Sequence, residues 1–87
     1  GETKVETSLT EGSVCAITKT WDNQTILILC NIGERTAQVD LSGTTFLKYR
    51  LTGALTVGEE AVNLSDKVLT LPMYAIAVLR LSGGIFG

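Results

Sequence analysis

Histidine is missing from this sequence. Its absence removes the side chain that changes charge near neutral pH, the base of the usual Ser-His and Cys-His nucleophile pairs, and the commonest transition-metal ligand. Cysteine is scarce: Cys15 and Cys30 are the two present, and without histidine they cannot complete a four-ligand zinc site. Charged residues make up 18% of the chain, the formal charge is −2, and the seven Lys and Arg are scattered. No basic stripe therefore marks a nucleic-acid or anionic-membrane partner. Apolar runs such as residues 26–30 and 75–79 fall far short of the ~20 residues that a membrane-spanning helix needs.

The acids offer no catalytic pair either. A glycosidase needs two carboxylates across one cleft, about 5–5.5 Å apart for retention or about 6.5–9.5 Å for inversion. The adjacent acids here, Glu59 and Glu60, follow Gly58 in an expected turn and would point apart in extended chain. Phosphate, dinucleotide and calcium loops are absent. The expectation is a chain that is not an enzyme by itself and carries no catalytic, cofactor-binding or metal-binding residue.

Aromatic residues number five: Trp21, Phe46, Tyr49, Tyr74 and Phe86. A sugar-binding surface usually presents several rings on one flat platform. Trp21, at a strand end beside a turn, is the candidate carbohydrate contact; the other reading has it cover the end of the core. Tyr49 shares parity with Leu47 and Leu51, which places its ring in the core and its hydroxyl at a polar rim. Two glycosylation sequons, at Asn23 and Asn63, carry meaning only in a eukaryotic secretory route.

What the chain does have is apolar content and alternation. Apolar residues reach 45% with a mean hydropathy of +0.30, enough for a core without metal or disulfide support. The recurrent period is two, the mark of half-buried strands, and no stretch sustains helical spacing. Residues 13–21 are rich in Val, Ile, Thr and Trp, Asp22-Asn23 supplies turn chemistry, and residues 24–32 are apolar on both faces, as a strand covered on two sides would be. In residues 35–41, Ala37, Val39 and Leu41 alternate with polar neighbours. Residues 46–51 set Leu47, Tyr49 and Leu51 against Phe46, Lys48 and Arg50. After a break at Gly53 follow short pieces at 55–57, 61–64 and 68–71, then a closing strand after Pro72. Such spacing predicts an all-β fold: a small antiparallel β-sandwich of about 7–8 strands, Greek-key-like.

A two-residue loop at Asp22-Asn23 fixes a register, with Trp21 opposite Gln24, Ile17 opposite Ile28 and Cys15 opposite Cys30. That places the cysteines in a hydrogen-bonded pair with Cα atoms about 5.5 Å apart, within disulfide range. Two readings stand: buried free thiols acting as small hydrophobes, or a structural disulfide between Cys15 and Cys30. In the closing strand, Ala75, Ala77 and Leu79 face one side and Tyr74, Ile76 and Val78 the other. Either both sides are covered, or Ala75 and Ala77 form a weakly apolar outer face.

Three stretches carry a family resemblance. "TILILCNIGERTAQVDL" at 25–41 has an aliphatic strand ending in Asn, a small turn and a returning strand. "LTG" stands at 51–53, and "VLTLPMYAIAVLR" at 68–80 is a closing strand entered through a proline. In this order the chain, from about 13 to 81, resembles the C-terminal β-sandwich of α-amylase superfamily glycoside hydrolases. Met73 stands where the family often has a second proline, and Cys30 replaces an aliphatic residue. The resemblance implies a non-catalytic accessory domain that packs against and stabilises a catalytic (β/α)8 barrel of the same polypeptide. It also implies a parent enzyme acting on α-glucans, with α-glucan oligosaccharide as a further candidate partner. The family's catalytic acids lie on the barrel, so none maps onto this chain. Rival readings are a carbohydrate-binding module with Trp21 as its platform and an immunoglobulin-like interaction domain. The expected organisation is a lead-in or edge strand over 1–12, the sandwich over 13–81 and a tail over 82–87. The start at Gly1, without Met or apolar leader, reads as a piece excised from a longer polypeptide.

Overall fold

The structure is a computed structural model that describes residues 2–81; the expected tail and Phe86 lie outside the described residues. Among the described residues there are eight strands: β1 (Glu2–Val5), β2 (Val14–Trp21), β3 (Gln24–Asn31), β4 (Ala37–Asp40), β5 (Tyr49–Leu55), β6 (Asn63–Ser65), β7 (Val68–Leu71) and β8 (Ile76–Leu81). All pairings are antiparallel. One sheet has five strands in the order β1-β2-β3-β8-β5, and the other has three in the order β4-β7-β6. The chain passes from one sheet to the other between β3 and β4, β4 and β5, β5 and β6, and β7 and β8. These crossings lay the sheets face to face as a small all-β sandwich.

The β2–β3 hairpin has the expected register: Trp21 pairs with Gln24, Ile17 with Ile28 and Cys15 with Cys30. Asp22 (φ 47°) and Asn23 (φ 62°) both take the left-handed backbone that a tight hairpin turn needs and that short polar side chains tolerate. Asp66 (φ 50°) and Lys67 (φ 67°) do the same between β6 and β7. The inner faces close on Leu27, Leu29 and Leu79 from the larger sheet and Leu69 and Leu71 from the smaller, all fully buried. Ala16, Ala75 and Ala77 join them, and small side chains at those positions let the layers approach.

One polar side chain sits inside this apolar layer. Asn31, at the end of β3, is completely buried and fully hydrogen-bonded. Its Oδ1 accepts from the Ser13 hydroxyl (2.7 Å) and the Gly33 amide (2.9 Å). Its Nδ2 donates to the carbonyls of Arg35 (2.8 Å), Leu71 (3.0 Å) and Pro72 (3.2 Å). The side chain thus fastens β3 in one sheet to the end of β7 in the other. Burying an amide costs heavily unless it is paired, and here both ends are paired.

Several expectations are corrected. Residues 46–48 are turn, and β5 begins at Tyr49. The Thr44 hydroxyl donates to the Leu41 carbonyl (2.6 Å) and accepts from the Phe46 amide (3.1 Å), which curls the backbone and reverses the side-chain order. Phe46 is buried, Leu47 is exposed, and the Phe46 ring meets Tyr49 edge-on at 5.0 Å and 82°. Gly53 does not end a strand; β5 runs through it, with a bulge between Leu51 and Gly53 that absorbs Thr52. Pro72 does not start β8. Its carbonyl accepts from the Ala75 amide (3.1 Å), closing a turn in which Tyr74 is left-handed (φ 55°) and exposed. The cysteines are not buried: Cys15 is exposed, Cys30 is half-buried, and both thiols are free. They project to the outer side of the larger sheet, away from the second layer, so among the described residues β3 is covered on its inner face alone.

Candidate functional site

The outer face of the five-stranded sheet stands out as a surface, and the ladder pairings place its side chains in rows. One row crosses all five strands as Val5, Ile17, Ile28, Val78 and Gly53. The next runs Cys15, Cys30, Ile76 and Leu55. On the other side of the first lies Thr3, Lys19, Ile26, Arg80 and Arg50. None of these residues is buried, whereas the alternate positions of β2, β3 and β8 form the core. Val5 and Leu55 are 56% and 68% exposed. The face is therefore two aliphatic rows flanked by a basic one, and no carboxylate stands in any of the three.

Catalytic chemistry has no comparable focus. Among the described residues, no three His, Cys, Asp or Glu side chains gather where a metal ion would fit. A cleft of about 480 Å³ opens between the segment leading into β2 and strand β4; Ser8, Glu11, Gln38 and Asp40 are among its lining residues. Asp40 Oδ1 accepts from the Ser42 hydroxyl (2.6 Å) and amide (2.9 Å), and these bonds hold its carboxyl below the usual value. A carboxylate held ionised in this way is a poor proton donor. No aromatic ring lines the cleft, so it offers a sugar nothing to stack on.

The residues singled out from sequence are dispersed. Trp21 is half-buried at the hairpin end of β2, on the outer parity of the sheet and not over the core. Tyr74 lies beyond the opposite end of the same sheet, beside Ala75, whose carbonyl accepts from the Asn31 amide (2.9 Å). Trp21 and Tyr74 thus share no platform. Glu59 and Glu60 are exposed in the segment between β5 and β6. Cys15 and Cys30 do come together, as neighbours in one row of the outer face. Sequence reasoning missed Asn31 as a hub and the row of cations. Asn at a strand end before a small turn was a visible signal for the first. The parity of Lys19, Arg50 and Arg80 was a signal for the second, although strand order was needed to use it.

No protein-family model matches this sequence, and no curated protein does. The fold has a relative. Amy13B of Eubacterium rectale superposes with a TM-score of 0.85 over 94% of this chain, at 23% identity. This chain spans only 16% of the length of Amy13B. At that identity the likeness is one of fold. Nearly the whole described sandwich therefore recurs as a minor part of a much longer polypeptide.

Proposed function

We propose that this chain is a non-catalytic accessory domain of an α-amylase-like glycoside hydrolase, packed against a catalytic (β/α)8 barrel and stabilising it. The observation that carries the reading is the superposition on Amy13B, an amylase, in which a sandwich of this size occupies a small share of the chain. Two further facts support it. The sequence contains no histidine, and one sheet face is apolar without being covered by the second layer. The parent enzyme, in this reading, acts on α-glucans, and the bond-breaking carboxylates belong to the barrel.

The test removes residues 1–87 from the parent polypeptide. The remaining catalytic part is expected to unfold several degrees lower, because losing ~2 kcal/mol of interface moves Tm by about 4–8 °C in a domain of about 150–250 residues. Activity per folded molecule on soluble starch should persist. A parent with no second domain, or a catalytic part whose Tm and soluble yield are unchanged, overturns the proposal. Starch hydrolysis by the purified 87-residue chain would overturn it as well.

A further inference from the structure

We infer that the outer face of the five-stranded sheet is the docking surface, and that it receives an apolar patch edged by carboxylates on a second domain of the same polypeptide. The inference rests on the accessory-domain reading above and names the face and the chemistry that meets it.

Three observations carry it. The first is the pair of apolar rows, which alternation has placed on a face that the second sheet does not cover among the described residues. Contiguous exposed apolar surface of this kind marks a contact site more often than chance. The second is charge. Arg50 and Arg80 are direct cross-strand partners, and Lys19 stands in the same row with Ile26 between it and Arg80. Like charges directly opposite one another destabilise a sheet, and no acid in the three rows relieves them. Carboxylates on a partner would do so. Self-association leaves this repulsion in place: a second copy rotated onto the face brings the same three cations and no acid.

The third observation is size. Five strands at ~4.8 Å and three rows at ~6.8 Å give a plan area of about 400–500 Å². A stable interface between separate molecules needs about 800 Å² on each side. Contacts between domains of one chain make do with about 300–750 Å² per side, because the linker keeps the partner at high local concentration. These three rows fit a tethered partner and by themselves fall short for a free one.

Cys15, exposed in the second of the two apolar rows, provides a native reporter. In the full-length parent under reducing conditions, with Cys30→Ser leaving one thiol on the face, Cys15 is expected to react with a maleimide at least about tenfold more slowly than a reference thiol. Protected sites react only through local opening. The reference is Gln38→Cys, exposed on β4 of the other sheet. Arg50→Glu should then speed Cys15 labelling several-fold, and so should 0.5 M salt. That variant places Glu opposite Arg80 and so favours the sheet itself, which separates lost docking from unfolding. Equal labelling of Cys15 and the reference thiol overturns the inference, even where deleting the domain still destabilises the parent and the accessory reading survives. Protection that ignores both Arg50→Glu and salt overturns the acidic edge. Protection that appears only with concentration-dependent dimers in sedimentation overturns it in favour of a second copy.

Discussion

At the scale of single residues, stability hinges most on Asn31. Its five partners, Ser13, Gly33, Arg35, Leu71 and Pro72, lie in the turn before β2, in the turn after β3 and at the end of β7. Asn31→Leu keeps the volume but takes the partner from the Ser13 hydroxyl, the Gly33 amide and the Arg35 and Leu71 carbonyls, while the Pro72 carbonyl keeps its bond from the Ala75 amide. At about 1–3 kcal/mol for each group left dry, and with some relaxing toward water, urea denaturation should show a loss on the order of 3 kcal/mol. The sequence displayed the asparagine but not this role, since no local pattern brings residues 13 and 71 together. Tyr49 gives a second prediction. Its phenol is pushed above the ordinary value of 10.0, first by burial and then by the Glu6 carboxylate. The folded protein therefore holds that proton at pH values where the unfolded chain releases it. The stability linked to it is complete below pH ~10 and is lost as pH rises from there through the folded value. Denaturation midpoints measured across pH 9–11 should fall in the wild type, and the fall should be shallower in Tyr49→Phe.

At the scale of elements, what was legible was whatever the chain decides locally. Asp22-Asn23 sets the β2–β3 register because both residues accept a positive φ, and that register then places every side chain of two strands. The start of β5 was not legible. Thr44, through its hydroxyl and together with successive backbone turn bonds, makes an alternating stretch into a curled one and sends Phe46 into the core. Alternation reports what a strand would bury, and it does not report that a side-chain hydrogen bond has taken the backbone elsewhere. The β3–β4 junction supplies the prediction at this scale. A Cβ on Gly33 would lie 2.7 Å from Ser13 Cβ and 2.9 Å from its Oγ. Ser13 is fixed by its bond to Asn31 and by its carbonyl, which accepts from the Ile32 amide (2.9 Å), so it has little room to yield. Gly33→Ala should cost about 1–3 kcal/mol by overpacking. Adding Ser13→Gly removes the clashing atoms, so thermal melts of the double variant should show less than the sum of the two single losses.

At the scale of the whole molecule, the two-layer architecture was readable from short alternating segments, punctuating turns and the lack of helical spacing. Which apolar faces meet inside and which remain outside was not. β3 and β8 are apolar on both sides, and parity cannot tell a face covered by a second sheet from one left open. Only strand order separates the leucine and alanine interior from the isoleucine exterior. That order also keeps Trp21 and Tyr74 at opposite ends of the larger sheet. Titrating maltooligosaccharides into the protein should therefore produce no saturable change in Trp21 fluorescence, whereas a binding module built on that ring would give one. The rims of the larger sheet have a consequence for its behaviour in crowded solution. The sheet ends in β1, whose exposed residues include Glu2 and Lys4, and in β5, whose bulge bends the strand. A straight free rim is a template on which further strands can zip into fibrils. Here one rim is charged and the other is kinked, so the larger sheet resists polymerising edge to edge.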